Sequence, residues 1–481
     1  MSLSPPPITS EQLAALPPEF RALLQGVIDH YEARIAVLEA RIVELERRLS
    51  KTPQNSSLPP SSQHPHAKPP TAKPPTAKPK SPRKRGGQPG HEKHERTLIP
   101  VEQCTEVYDH RPQACCGCGG PLSGSDVTPL RHQVWDLPEI KPRIVEHRRH
   151  QLTCPGCGAS TRGELPAEVP RGQAGPRLIA FTALLMGGFR QSKRKTASFL
   201  ANMLNIPCSP SWVVKMQNQA TAALRPSYDD LVVQLPAQGQ LNIDESPHKE
   251  GCSKTWLWTF VAANFTVFAL RPSRKAEELH AHIGEEFPGV VHCDRAKMYL
   301  GLEKVQWCWA HLKRDFQALI DSGDGQAKRL GHDLMRQVNA MFELWHRERD
   351  GTLSRRGFKT RMSPIRAQVE SLLLRGIFSG NARLNGMCEE LYRGRANLWT
   401  FVDTEGVEPT NNDAERALRH AVIWRKLSFG TQSAAGSRFV ETMLTIIETC
   451  RQQKKNAFAS IVQALQDHIT GKTPEPLLAG A

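Results

Sequence analysis

The stretch from residue 51 to 97 begins KTPQNSSLPPSSQHPHAKPPTAKPPTAKPKSPRKRGG and holds almost no large apolar side chain. Such a composition cannot bury enough surface to offset the entropy lost on folding, so it builds no core and divides whatever folds on either side of it. The repeated PPTAK predicts extended, polyproline-like backbone acting as a semi-rigid spacer. Ten Lys and Arg against two Glu give this tract a net charge of +8, more than half of the +15 carried by all 481 residues. It reads either as a solvated linker or as an arm that tracks phosphates. A chain of this length and charge is expected to hold two or three globular units and to meet a polyanion. The longest apolar run, LIAFTALLMGG from Leu178, falls far short of the ~20 residues of a spanning helix, which argues against a membrane. With no charged start and apolar core of a signal segment, the expected compartment is the cytoplasm, at the nucleoid. The twelve cysteines then point to metal rather than to disulfides.

Before the tract, residues 17–50 repeat apolar side chains at heptad spacing. Ile28, Ile35, Ile42 and Leu49 stand in one register, and Leu24, Tyr31, Leu38 and Leu45 in the other. β-Branched residues at one core position and Leu at the other predict a two-stranded parallel coiled coil, hence a homodimer or a larger assembly. The alternative, a single amphipathic helix packed on the body, calls for a wider apolar face.

After it, residues 98–165 carry two knuckles, CCGCGG and CPGCGAS. Cys115, Cys118, Cys154 and Cys157 predict one tetrahedral thiolate site for a structural Zn²⁺, a zinc ribbon. The 35 residues between the pairs make a long gap, and Cys116 or His110 are alternative ligands. The intervening RHQVWDLPEIKPRIVEHRRHQLTC reads as strands.

Residues 170–235 read as helices, and the turn NIPCSPS before a helix capped by Ser209 or Ser211 resembles a helix-turn-helix, a pattern that any helical hairpin in a core shares. From 236 to 320 the pattern is β-rich: GQLNIDESP, a hairpin turning near AANF, and GVVHCDRAKMYL. Residues 321–405 are helical again, as are 406–470. The fold class is therefore multidomain α+β.

Asp244 and Asp294 each end an apolar, strand-like run. Two such aspartates on adjacent strands, with a third acid from a neighbouring helix, can hold two divalent cations for phosphoryl displacement, while Arg and Lys hold the phosphates. Glu245 points to the other sheet face if the strand continues through it. In PTNNDAERALRH, Thr410 and the asparagines cap a helix and put Glu415 in or near its first turn, leaving Arg416, Arg419, Arg425 and Lys426 for DNA. A competing account makes Glu415 an i,i+4 partner of Arg419, worth only ~0.3–0.5 kcal/mol; a competing acid is Glu441.

The leucine-zipper start, NSSLPPSS, GGQPGH, the paired CxxC knuckles, DESP, HCDRAKMY, CWAHLKRDF and NNDAERALR with RKLSFG together resemble the transposases of the insertion sequence 66 family. That resemblance implies a DDE-class enzyme with a ribonuclease-H-like α/β core interrupted by an all-helical insertion. It implies Asp244, Asp294 and Glu415 as catalytic triad and ligands of two Mg²⁺ or Mn²⁺, with Asp244 bridging. It also implies double-stranded DNA, both element ends and target, as substrate, and small accessory proteins of the element as partners. Cys308 and His311 match a CxxH element associated with DNA handling near the active site; their plainer reading is a core cysteine and a satisfied histidine. Ser246 stands where the family pattern DET has Thr, a change that keeps the hydroxyl. The rivals are a structure-selective nuclease on the same fold and a non-catalytic zinc DNA-binding protein.

Overall fold

The computed structural model describes residues 15–49, 51, 55 and 97–478, so nearly all of the proline- and lysine-rich tract lies outside the described residues. The first element is a single helix, α1 (Pro18–Leu49), with Pro and Glu19 in its first turn, where a missing N–H and a negative charge suit the helix start. Tyr31, Ile35, Leu38, Ile42 and Leu45 are all exposed, at 44–59%. These five seam positions are therefore not packed against the rest of the described chain.

The chain divides into two compact units, one of residues 65–143 with 203–205 and the other of the remainder. In the first, a short bridge between Ala114 and Pro121 closes the Cys115 knuckle. In the second, the antiparallel pair β1 (Gln151–Thr153) and β2 (Ser160–Arg162) closes the Cys154 knuckle. The strands expected across residues 131–150 do not form. Pro138 and Pro142 remove ladder donors, and Val134, Leu137 and Ile144 are more than three-quarters exposed, with no sheet face to cover them.

Three helices follow, α2 (Pro176–Gly187), α3 (Lys193–Leu204) and α4 (Pro210–Val233). Ser209 caps α4 by accepting from the Trp212 N–H at 3.2 Å, as the sequence suggests. Val213, Met216, Ala220 and Leu224 bury one face of α4, and Ser211, Lys215 and Asn218 remain exposed on the other.

The central sheet comprises β3 (Gln240–Glu250), β4 (Ser253–Val261), β5 (Thr266–Arg271), β6 (Val290–Cys293) and β7 (Val305–Trp307), in the order β5-β4-β3-β6-β7. The first three form an antiparallel meander, and β6 and β7 run parallel to β3. The β4–β5 turn falls at Ala262–Phe265, at the expected hairpin. β3 does not end at Asp244, because Glu245–Glu250 continue to pair with Ser253–Trp258 around Gly251, whose φ of +58° suits glycine. Helix α5 (Ala276–Ile283) packs Leu279 and Ile283 into the cluster that holds Leu241, Ile243, Phe260 and Val291.

Beyond β7 come α6 (Trp309–Ile320), α7 (Gly325–Arg349), α8 (Arg355–Ile377), α9 (Ala382–Arg393) and the short α10 (Thr400–Asp403). No strand occurs among the described residues from 321 to 405, as expected. Gly394 returns this helical segment against the sheet. A Cβ there would lie 2.0 Å from the Trp307 ring, so only glycine fits. The chain then enters α11 (Asn412–Ser428), α12 (Ala434–Gln452) and α13 (Ala457–Thr470). Along α12, Glu441, Thr445 and Thr449 accept the N–H groups of Leu270, Phe268 and Thr266 at 2.5, 2.9 and 3.2 Å. This i, i+4, i+8 ladder satisfies the donors of the edge strand β5 and blocks its pairing with another sheet.

Candidate functional site

The parallel register of β3 with β6 sets the site. Asn242 is opposite His292, so two residues on, where β6 has just ended, Asp244 and Asp294 fall at the same level on adjacent strands. Side chains two apart share a face, so both carboxylates lie on one side of the sheet. Asp294 stays oriented because its Oδ1 accepts the Ala296 N–H at 2.8 Å.

The third acid arrives with α11. The start of that helix is fastened by the Asn411 Nδ2, which donates to the Ile243 carbonyl of β3 at 2.6 Å, and by the Trp309 N–H, which donates to the Pro409 carbonyl at 2.9 Å. The expected asparagine cap is absent, because Asn411 spends its side chain on β3 instead of on its own helix. Glu415 falls in the first turn as expected. Its Oε1 lies 3.4 Å from Arg314 Nη2 and 3.6 Å from His311 Nδ1, both on α6. Arg419 is exposed and forms no ion pair among the described residues, so the i,i+4 account of Glu415 fails.

Asp294 and Glu415 stand close enough to act on the charge of Asp244. Burial first, and then the carboxylates of Glu245, Asp294 and Glu415, push the Asp244 carboxyl well above the usual range. Three neighbouring carboxylates thus oppose the charge of this half-buried acid.

Glu245 points away from Asp244, as a continuing strand requires, and its carboxylate is buried. It accepts from the Tyr299 hydroxyl at 2.7 Å and pairs with Arg274, whose Nη2 also lies 3.5 Å from Asp294 Oδ2. Burial, followed by the Asp294 charge, raises the Glu245 carboxyl to about 7. Arg274 lies outside every motif singled out in the sequence, and Arg314 and Tyr299, inside CWAHLKRDF and HCDRAKMY, carry no individual signal; each reaches the site through a contact distant along the chain.

The remaining cations are placed along α11. Arg425 donates to Ser246 Oγ at 2.8 Å and to the Pro247 carbonyl, so it is anchored on β3 two residues beyond Asp244. Arg416 pairs with Asp413 and lines a cavity of about 400 Å³ with Asn242 and His292. Arg419 and Lys426 are exposed. Cys308 caps α6 and is buried, and His311 lies one turn on. Glu441 is not part of the site: its fully buried carboxylate is held by Leu270, Arg271, Arg438 and Arg225 at the far edge of the sheet.

The two knuckles share one geometry, each in its own unit. Cys115 exchanges backbone hydrogen bonds with Gly119 and Gly120 at 2.9 and 2.8 Å, and Cys154 does the same with Gly158 and Ala159 at 2.9 and 2.8 Å. Gly119 and Gly158 have φ of +72° and +74°. In each turn the backbone N–H of the second residue after the leading cysteine lowers that thiol's pKa, at Gly117 and at Gly156. The match aligns Cys115 with Cys154 and Cys118 with Cys157, and gives Cys116 no counterpart.

The family described as Transposase IS66 family matches residues 171–438, more than half of the chain and all three acids. The chain belongs to the IS66 transposase family. The zinc-finger binding domain of transposase IS66 matches residues 112–158, spanning both knuckles, and a family of unknown function matches residues 5–97. Two uncharacterized proteins of Sinorhizobium fredii (strain NBRC 101917 / NGR234), y4hP and y4qI, are similar. They are 24% and 25% identical, over 74% and 77% of this chain and 71% and 72% of their own lengths. No helix among the described residues of this IS66 family member is long and apolar enough to cross a membrane.

Proposed function

We propose that the chain is a DDE transposase that binds the ends of its element, cleaves them by metal-dependent hydrolysis and joins the freed 3′-OH to target DNA. The observation that carries this reading is the convergence of Asp244, Asp294 and Glu415 at one end of the β3–β6 pairing, in a chain of this family. The antiparallel meander extended by two parallel strands, with helices between the second and third acids, supports a ribonuclease-H-like core with a helical insertion.

Asp244, Asp294 and Glu415 would be the residues that hold two Mg²⁺ or Mn²⁺ ions. Such ions lower the pKa of the attacking water or 3′-OH and neutralise the leaving oxygen. The chain's own residues orient these groups. Asn411 and the Trp309 N–H keep α11 beside β3, the Ala296 N–H and Arg274 fix Asp294, and Arg314 holds Glu415. Arg425, tied to Ser246, would meet a phosphate of the bound DNA, as would Arg416 and Arg419 earlier on the helix and Lys426 beside it. The four knuckle thiolates, Cys115, Cys118, Cys154 and Cys157, would hold one structural Zn²⁺, a reading supported by the zinc-finger match and the twin turns. The exposed seam of α1 fits a second copy of the chain, which would bring two element ends together.

Glu415→Gln keeps shape and removes charge. The variant is expected to fold and bind end DNA but to lose cleavage and strand transfer in Mg²⁺ by at least ~10³-fold, an effect of ~4 kcal/mol on the barrier. Cleavage at a near-parental rate would refute the triad. Cleavage without joining in the parent would make the chain a nuclease.

A further inference from the structure

We infer that Cys308, His311 and Glu415 form a second transition-metal site, selective for a zinc-class ion, which shares the third acid with the proposed catalytic centre. One ligand atom from each of the three, a sulfur, a nitrogen and an oxygen, lies within 4.8 Å of the others, the only such trio of metal-binding side chains among the described residues. The distance from His311 Nδ1 to Glu415 Oε1 is already 3.6 Å. In a tetrahedral zinc site, bonds of 2.0–2.3 Å put ligand atoms about 3.4–3.6 Å apart, so the nitrogen and oxygen need almost no movement and the sulfur a modest one.

Further features fit a bound ion. His311 Nδ1 is buried and has no hydrogen-bond partner. Such an orphan is costly for a ring nitrogen unless something fills its lone pair. Cys308 is 2% exposed, and its sulfur accepts the Asn411 N–H at 3.2 Å, a contact that also suits a thiolate. The side chains of His311 and Glu415 are 21% and 29% exposed, so an ion can enter past them and leave its fourth position to water. The sequence spacing explains the pairing: the N-cap and the third residue of α6 lie on the same side of the helix start.

Donor chemistry separates this site from the hard-ion site beside it. Mg²⁺ takes oxygen ligands, whereas a thiolate with an imidazole selects zinc and its neighbours. Binding replaces the Cys308 proton, which leaves to solvent, and displaces Arg314 from Glu415. Resting on the proposed transposase reading, one consequence follows. An ion here holds Glu415 away from Asp244 and Asp294, so zinc beyond the finger's own equivalent should depress Mg²⁺-supported cleavage.

The test is metal content of the full chain, loaded with zinc at neutral pH, freed of loose metal by gel filtration and measured by atomic emission. Two zinc ions per chain are expected. Cys308→Ser and His311→Ala should each hold one, and Cys154→Ser should hold the other one. Glu415→Gln, which leaves the buried thiol untouched, should weaken the second ion at least tenfold in a chelator titration, with circular dichroism checking the fold of every variant. With Co²⁺ as probe, Cys308→Ser should lose the visible bands that persist in Cys154→Ser. A parent with one zinc that Cys154→Ser abolishes would overturn the inference, as would a second equivalent retained by both Cys308→Ser and His311→Ala. One zinc that survives Cys154→Ser and is lost in Cys308→Ser would uphold this site and refute the finger assignment instead.

Discussion

Single residues here take their ionisation first from burial and then from the charged groups packed beside them. His282 is the clearest case away from the acids. Its ring is buried against Phe260, its Nδ1–H donates to the Glu278 carbonyl at 2.7 Å, and its Nε2 accepts from Arg271 Nη2 at 2.8 Å. With one nitrogen committed as donor and the other as acceptor, only the neutral ring fits. Burial, and then the Arg271 charge, lowers its pKa from 6.5 to about 4. Below pH 6.5 the unfolded chain takes up a proton that the folded one refuses, so this contribution to stability is complete above 6.5 and lost as pH falls toward 4. The full difference is about 3 kcal/mol. His282→Gln should therefore show a shallower loss of stability between pH 6.5 and 4 than the parent, read as the difference between their urea midpoints across pH. Parallel profiles would mean that the ring is protonated in the fold.

At the scale of elements, periodic sequence was legible and register was not. The heptads announce α1, the AANF turn announces β4 and β5, and the Ser209 cap announces α4. The run from 131 to 150 has the apolar content of strands, but strands need partners, and there the prolines and exposure win. The acids Asp244 and Asp294 were readable as strand-end residues, although β3 runs on past the first. That the two stand level depends on the Asn242–His292 pairing, which no local pattern encodes. Glu441 shows the same limit: in sequence it competes with Glu415, and only the ladder from α12 to β5 reveals it as a structural acid. For α1, the open question is its partner. Replacing both Leu38 and Leu45 by Lys sets like charges into a seam that is exposed in a single copy. The oligomer measured by light scattering should fall to a smaller species, with the rest of the chain still folded. An unchanged mass would place the main assembly contact elsewhere.

Across the whole molecule, charge is distributed unevenly: the tract from 51 to 97 holds +8 of the +15, while Asp244, Glu245, Asp294 and Glu415 act together at the site. A divalent-ion centre needs carboxylates, and a polyanionic substrate then needs cations around them, so the two signs are expected in different places. Residues 66–85 contribute seven Lys and Arg to this balance. If each neutralises one phosphate, their release of condensed counterions adds about 6 to the slope of log affinity against log salt. Deleting 66–85 should flatten that slope by several units on element-end and unrelated duplexes alike, because backbone contacts carry no sequence information. The zinc content and the Mg²⁺-dependent cleavage of the deleted chain should persist at low salt, since neither set of ligands lies in the tract. Filter binding over a salt series gives the answer directly. A slope equal to the parent's would make the tract a spacer, and would shift the phosphate contacts onto α11 and the exposed face of α4.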